Sequence, residues 1–248
     1  MNKQLKLIAD QCPQWATVTQ GGKALAASVN ALPSGKPFGP INLSIGTASG
    51  SVMVQEAASP TRWPVGCPDR HINHDGTFCI GEGAINAPHT SGDAALWWEA
   101  LGKFLAGQKY ADNHRRWPYQ RSLHHGSASK HQRELEELAT GSIFEDDVEN
   151  ALHGQTGWLA GEIPRLHKSR TRLVNLRAAC PRGCTRRGRP ILRRKCKQRQ
   201  LMFKIVREER RRRTAEENFW ASFPRKECCG TMDGCPLPAP TREDQSEP

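Results

Sequence analysis

The chain has 248 residues, of which 25% are charged, and a formal net charge of +11 at pH 7. This length allows one domain of ordinary size and a smaller one. No stretch approaches the ~20 apolar residues of a membrane helix, and the N-terminus lacks a long apolar core and a clear cleavage site, which favours a soluble, cytoplasmic protein.

The charge is divided unevenly along the chain. Residues 1–160 carry 13 Lys and Arg against 15 Asp and Glu, a net charge of −2. Residues 161–248 carry 23 against 10, a net charge of +13. This asymmetry predicts two units with different partners.

The first part of the chain predicts a short helix followed by a sheet. Residues 2–11 form the helix, and the strands are expected at 15–19, 23–30, 41–47 and 51–56. Turns are expected at Gly21-Gly22, at 33–40 and at Gly50. The order predicts an α+β domain in which helices flank a four-strand antiparallel meander.

A polar loop, residues 67–81, leaves the end of this predicted sheet. Asp75-Gly76 supplies a turn, and Phe78 and Ile80 can face inward on either side of Cys79. Anchoring on both sides would hold the Cys79 thiol rigidly at the surface. The loop is therefore a candidate active site.

Nucleophilic chemistry at Cys79 requires a thiolate or a group that assists its formation, and His71 and His74 lie in the same loop. Each residue also has a structural alternative. Either histidine could hydrogen-bond a carbonyl, Asp75 favours turn formation, and Cys79 could be a small buried hydrophobe. Cys67 is a weaker candidate nucleophile, because it precedes a proline and lacks an Asp-Gly turn.

The loop resembles the catalytic segment of ubiquitin-conjugating enzymes, in which a His-Pro-Asn tripeptide and a turn precede the thioester-forming cysteine. Counted back from Cys79 without gaps, the tripeptide aligns with Asp69-Arg70-His71, so the family's asparagine falls on His71. Asn73 and Gly76 match the family's residues at their positions. The tripeptide itself is lost, and a histidine at this place is similar to the bacterial branch of the family.

This resemblance covers roughly residues 1–155. It implies that Cys79 accepts a ubiquitin-like modifier from an activating enzyme as a thioester and passes it to an amine. His71 would then stabilise the oxyanion or position the loop, and Asn73 and Asp75 complete the candidate catalytic set. Bacterial conjugation systems of this type commonly serve antiphage defence, which is the implied context.

An amphipathic helix is predicted after the loop, beginning near Ser91 as N-cap and running to Leu105. Its apolar residues are Trp97, Trp98, Leu101, Phe104 and Leu105, and the tryptophans are expected to pack in the core. Ubiquitin-conjugating enzymes have such a helix after the cysteine, and the longer gap here suggests an insertion at 82–90. A loop over 117–126 then precedes a charged helix at about 131–139.

We predict a catalytic domain over 1–155, a linker over 156–178, a cysteine-rich basic region over 179–236 and a disordered tail over 237–248. The cysteine-rich region holds six of the nine cysteines: Cys180, Cys184, Cys196, Cys228, Cys229 and Cys235.

Such clustering without a secretion signal favours a metal over disulfides. One structural zinc is predicted, with Cys180 and Cys184 as one half of its ligands and Cys229 and Cys235 as the other. Cys196 and Cys228 are alternative ligands. Reduced structural cysteines or a redox pair remain the other interpretations.

A long helix is predicted over 197–223, with Leu201, Met202, Ile205 and Val206 on one face and 208–213 on the solvent side. Nearby arginines that could contact phosphates are Arg182, Arg186, Arg187, Arg189, Arg193, Arg194 and 210–213. The alternative is docking on an acidic protein or on the acidic segment 145–149. A non-enzymatic zinc adaptor that binds nucleic acid or a partner protein is therefore the second functional hypothesis.

Overall fold

The structure, a computed structural model, describes residues 2–21, 23–57, 60–81, 83–118, 124–153, 156–169, 171–224 and 227–239. It contains two compact units. The first combines residues 1–122 with the C-terminal residues from 224 onward, and the second comprises residues 123–223.

The first unit is an α+β fold, as the sequence predicts. Its regular elements are α1 (Lys3–Asp10), β1 (Ala16–Gly21), β2 (Ala24–Ala31), β3 (Pro37–Ala48), β4 (Ser51–Glu56) and α2 (Ser91–His114). The four strands pair antiparallel in the order β1-β2-β3-β4, which confirms the meander. β3 begins within the predicted 33–40 turn, because Pro37 still pairs with Ala31 beyond an irregularity in β2.

One face of this sheet forms the core of the first unit. Alternate residues of the three last strands are buried, among them Leu25, Val29, Leu43, Ile45 and Val54. Successive side chains on a strand point to opposite faces, so this alternation places one apolar face against the helices. The buried apolar residues of α1, and those of α2 up to Leu105, belong to the same cluster.

The helix α2 is fixed against the core by its cap and by its tryptophans. Thr90, one residue before the predicted Ser91, is the N-cap and forms a capping box with Asp93. Trp97 and Trp98 are buried, and the Trp98 indole N–H donates to the Ile8 carbonyl at 2.9 Å. The prediction that the tryptophans pack in the core is confirmed.

The second unit is mainly helical. It contains α3 (Ala128–Ala139), α4 (Glu145–Leu152), the two-residue strands β5 (Thr185–Arg186) and β6 (Arg189–Pro190), and α5 (Arg199–Ser222). The apolar face predicted for the long helix is correct, since Met202, Ile205 and Val206 are buried beside Leu135 and Val148.

The solvent face predicted for α5 over 208–213 is wrong at three of its six residues. Glu208 and Glu209 are 1% and 0% exposed, and Arg212 is 7% exposed. The Arg212 guanidinium donates two hydrogen bonds of 2.7 Å to the Glu209 carboxylate, and Arg213 donates a third to the same group at 2.6 Å. Paired charges can be buried because each satisfies the other, whereas hydropathy patterns place all charges outside.

Most of the α5 arginines proposed as phosphate contacts already donate hydrogen bonds within the second unit. Arg210 donates to the carbonyl oxygens of Ile163 and Pro164, and Arg213 donates to those of Leu159, Ala160 and Gly161. Arg182, another arginine proposed to contact phosphates, forms an ion pair with Asp147 of the acidic segment 145–149.

The observed units differ from the predicted domain boundaries. Residues 123–155 lie in the second unit, where α3 packs along α5. Residues from 224 onward lie in the first unit. Contacts between residues far apart in the sequence assign both segments to these units. Amino-acid composition carries no information about such contacts.

Some predictions fall on residues outside the described ranges. These are Gly22 of the first turn, the start of the 82–90 insertion, part of the 117–126 loop and residues 240–248 of the tail. Among the described residues, no helix is long and apolar enough to cross a membrane.

Candidate active site

The 67–81 loop is held to the sheet by backbone hydrogen bonds. Thr77 bridges to Gln55, and the Phe78 N–H donates to the Val54 carbonyl on β4 at 2.8 Å. Inside the loop, Ile72 bridges both to Cys67 and to Phe78. These short-range ladders fix the loop as a rigid extension of the sheet edge.

Cys79 is exposed at the end of this ladder. Phe78 before it is buried and stacks on Phe104 of α2, with ring centroids 4.5 Å apart, and Ile80 after it packs against the core. The Cys79 N–H donates to the His71 carbonyl at 2.8 Å. The predicted arrangement, an exposed thiol between two inward anchors, is what the structure shows.

His71 adopts the left-handed conformation with φ of 53°. This region is uncommon for residues other than glycine, although asparagine, aspartate and histidine are enriched there. Its N–H donates to the Pro68 carbonyl at 2.7 Å, and its ring lies 4.7 Å from the Trp117 ring. The fold therefore places His71 beside Cys79 through a turn that few residue types accept.

Asn73 and Asp75 bond within the loop. The Asn73 amide donates to the Thr77 hydroxyl at 3.0 Å, and Asp75 accepts from both the N–H and the hydroxyl of Thr77. Burial alone would raise the pKa of Asp75, but the hydrogen bonds from Thr77 and the charge of His74 lower it below its ordinary value. These bonds are those of a turn former, and a catalytic contribution of Asp75 stays a prediction.

Arg70 is a residue of this site that sequence reasoning missed. It is only 4% exposed, and its guanidinium donates to Gln108 at 3.0 Å, to Asp112 at 2.8 Å and to Thr231 at 2.8 Å. The Gln108 amide in turn donates to the Arg70 carbonyl at 2.6 Å. In the alignment with ubiquitin-conjugating enzymes, Arg70 stands where the family has proline. A proline cannot make such hydrogen bonds, so the alignment did not predict them.

The C-terminal segment 227–239 lies against the base of the same loop. Cys67 is 2% exposed and its sulphur is 3.0 Å from that of Cys229. Met232 and Ala111 are buried in the same small cluster. Its burial makes the Cys67 thiol a poor nucleophile. This agrees with the sequence-based interpretation that Cys67 is a weaker candidate nucleophile than Cys79.

Cys228, Cys229 and Cys235 of the predicted metal set belong to the first unit, whereas Cys180, Cys184 and Cys196 belong to the second. Gly183, with φ of 74°, closes the turn that carries Cys180 and Cys184, and its N–H donates to the Cys180 carbonyl at 2.9 Å. Burial, a hydrogen bond with Cys180 and the nearby Cys196 raise the pKa of the Cys184 thiol. The six predicted ligands are therefore distributed as three in each unit.

Within the described residues, a single group of His, Cys, Asp or Glu side chains brings three donor atoms within 4.8 Å of one another, and it contains no cysteine: His131, Glu134 and Glu208. Glu208 already accepts hydrogen bonds from Arg207 and Arg211. These cations balance its charge, so we interpret the group as an ion-pair network on α3 and α5.

Comparison with known families supports the interpretation of the loop. A family model described as a prokaryotic E2 domain matches residues 16–119. A second, described as a cysteine-rich domain C-terminal to the E2 domain, matches residues 124–237. The chain carries a prokaryotic E2 domain followed by a cysteine-rich domain.

E2 is the designation of ubiquitin-conjugating enzymes, so the family resemblance is confirmed. The matched E2 region begins after α1 and contains the four-strand meander, His71, Cys79 and α2. The cysteine-rich domain begins at 124, close to the start of the second unit. No curated protein and no solved structure matches the chain.

Proposed function

We propose that the protein is a conjugating enzyme that carries a ubiquitin-like modifier as a thioester on Cys79 and transfers it to an amine. The observation that carries this proposal is the exposed Cys79 between the buried Phe78 and the partly buried Ile80, in the loop of an E2 domain. An E2 domain also implies a modifier and an activating enzyme as partners.

Loading would be a transthioesterification. The Cys79 thiolate attacks the carbonyl of the modifier's thioester on the activating enzyme, the oxyanion collapses, and the activating enzyme's thiolate leaves. In transfer, an amine attacks the new thioester, Cys79 leaves as the thiolate and the amine loses a proton. A hydrogen-bond donor at the position of His71 would stabilise the oxyanion that forms when the amine attacks.

The test is reconstitution with a ubiquitin-like modifier and its activating enzyme. We expect an adduct that survives denaturation and disappears on addition of an excess of thiol, because a thioester exchanges with thiols. Absence of any adduct with an activating enzyme that is itself loaded would contradict the proposal.

We predict that removing the His71 imidazole slows transfer more than loading. His71→Gly is the suitable variant, because glycine accepts the positive φ of this position without strain. If His71 donates to the oxyanion formed with the amine, transfer should fall by ~10²–10³-fold. Single-turnover discharge of preloaded enzyme to free lysine measures this step separately from loading.

Two variants serve as controls for His71. His71→Asn keeps a hydrogen-bond donor and a residue type that tolerates the left-handed region, so we expect it to retain most of the transfer rate. His74→Ala changes an exposed histidine of the same loop and should have little effect. Equal loss of loading and transfer in His71→Gly would instead indicate a structural loop residue.

The cysteine-rich domain contains close cysteine pairs, and we propose that its thiolates hold structural zinc. Cys180, Cys184 and Cys196 supply sulphur donors in the second unit, on a tight turn of the kind that presents two ligands to one ion. Bound zinc contributes directly to folding, so chelation should loosen this unit.

Nucleic-acid binding by the cysteine-rich domain is a second candidate function. It is favoured by the turn between β5 and β6, where Arg186, Arg187 and Arg189 are all exposed and none is part of the α5 ion pairs. Clustered exposed arginines favour contact with phosphates.

For this second function we expect the double variant Arg186→Ala, Arg189→Ala to weaken binding to a labelled DNA duplex. A plot of log affinity against log salt concentration has a negative slope. Its magnitude should decrease by about 2, because two phosphate contacts are lost. Fluorescence anisotropy at several salt concentrations measures it. Lys3→Ala, Lys6→Ala removes two exposed charges from α1 and is the matched control; equal loss in both variants would indicate non-specific attraction.

A further inference from the structure

We infer that Arg70 is a positioning residue of the active site, and that the C-terminal segment 227–239 supports the catalytic loop through it. The role given to Arg70 rests on the conjugating function proposed for Cys79. Arg70 ends the helical turn Pro68–Arg70, directly before His71, and it is only 4% exposed. Both its backbone and its side chain hold the loop.

The peptide unit between Arg70 and His71 is held at both ends. Its carbonyl oxygen accepts a hydrogen bond of 2.6 Å from the Gln108 side chain, and its N–H donates to the Pro68 carbonyl at 2.7 Å. A peptide unit is planar, so these two bonds fix the plane from which His71 continues the chain. The His71 carbonyl then accepts from the Cys79 N–H at 2.8 Å. This one clamped unit therefore fixes the His71 backbone beside Cys79.

The Arg70 guanidinium joins the same turn to α2. It donates to the Gln108 carboxamide oxygen at 3.0 Å and to the Asp112 carboxylate at 2.8 Å. These two acceptors are four residues apart, so they lie on one face of the helix. Gln108 is fully buried and bonds Arg70 twice, once at its side chain and once at its backbone. A fork of several N–H donors is needed to reach these acceptors together, which favours arginine at this position.

The C-terminal segment supplies a third acceptor for this guanidinium. The Arg70 Nε donates to the Thr231 hydroxyl at 2.8 Å. Arg115, at the C-terminal end of α2, holds the segment in place by donating to Asp233 at 2.8 Å. Residues 227–239 therefore contact the base of the catalytic loop through a hydroxyl on the same guanidinium that binds α2.

The burial of the Arg70 charge is the physical reason why this clamp is rigid. A guanidinium keeps its proton in proteins, so a buried one needs acceptors for its N–H groups and a negative charge nearby. Asp112 supplies the charge, and Gln108 and Thr231 supply neutral acceptors. Any displacement of the loop from these acceptors leaves part of the buried guanidinium unpaired. That cost holds the loop in one position.

A contribution to folding alone is the competing interpretation of this network. It predicts variants that unfold more easily but in which every loaded molecule transfers the modifier at the wild-type rate. Positioning predicts a slower rate for each loaded molecule. Discharge of preloaded enzyme separates the two, because unfolded molecules carry no thioester.

The test is single-turnover discharge of preloaded enzyme over a range of free lysine concentrations. Arg70→Met should lower the maximal rate by ~10²-fold, the cost of misplacing a reacting group by about 1 Å. Thr231→Val removes one acceptor and should lower it by about 10-fold, the equivalent of one hydrogen bond to a charged group. The lysine concentration at half-maximal rate should not change, because the buried Arg70 does not contact the amine.

Matched variants make this test decisive. Thr231→Val covers the case in which Arg70→Met does not fold, because Thr231 is only partly buried and valine has nearly the same shape. Thr231→Ser keeps the hydroxyl and should restore the wild-type rate. Arg62→Ala removes an exposed arginine that contacts the same Asp112 carboxylate at 3.5 Å, and it should have little effect. A wild-type rate in Thr231→Val, or an equal loss in Thr231→Ser, would overturn the inference.

Hydrogen–deuterium exchange separates this inference from the conjugating function, because it needs no modifier. Peptides covering 67–81 should exchange faster by about 10-fold in Thr231→Val and at the wild-type rate in Thr231→Ser. If the wild type fails to load but exchange differs in this way, the proposed function is wrong and the clamp is correct. If Thr231→Val loads and discharges like the wild type and its exchange is unchanged, the clamp is wrong and the proposed function stands.

Discussion

Replacing Cys79 by alanine should abolish the thiol-sensitive adduct with the modifier. The sulphur is the only atom of the side chain that can form the thioester, and the loop around it is held by backbone bonds and by Phe78 and Ile80, which the substitution leaves in place. Because Cys79 is exposed, alanine there should not cost measurable stability. The loss should therefore be complete and confined to chemistry.

Cys79→Ser distinguishes the nucleophile from a bystander. A serine at this position should give either no adduct or an oxygen ester that resists thiols. Denaturing gels with and without thiol, followed by peptide mass spectrometry, measure both outcomes. Cys12→Ala is the control and should load normally, since that thiol only hydrogen-bonds nearby carbonyls. An adduct that persists in Cys79→Ala would place the nucleophile elsewhere and refute the assignment.

Glu209→Ala should strongly destabilise the second unit. Glu209 is fully buried on α5 and accepts hydrogen bonds from Arg212 and Arg213. Its removal leaves the Arg212 guanidinium buried without its carboxylate, which typically costs about 3–5 kcal/mol. Arg213 is affected less, because it retains three carbonyl acceptors.

Hydrogen–deuterium exchange of peptides from α3, α4 and α5 measures this loss. The free energy required to open these helices to exchange decreases by the same amount as the stability. The control is Glu217→Ala, an exposed glutamate on the same helix that should change exchange little. The double change Glu209→Leu, Arg212→Leu should recover part of the stability, because a matched apolar pair can replace a buried ion pair. Equal, small effects of Glu209→Ala and Glu217→Ala would contradict the buried-pair account.

The sequence alone determined the elements whose pattern is local. Alternating apolar residues predicted all four strands, and the helical spacing of Trp97, Leu101 and Leu105 predicted α2. The turn chemistry of Asp75-Gly76 and the apolar residues beside Cys79 predicted the exposed thiol. These features depend on residues within one element or one turn, so periodicity and turn preference are sufficient to find them.

Only the tertiary structure decided which charges are inside and which cysteines meet. Glu209 and Arg212 are buried because each satisfies the other across one helical turn, while their individual hydropathy places them in water. Cys67 meets Cys229 because residues from 224 onward belong to the first unit, a pairing across 162 positions. Contacts at such separation arise from the packing of the whole chain, and no local pattern encodes them.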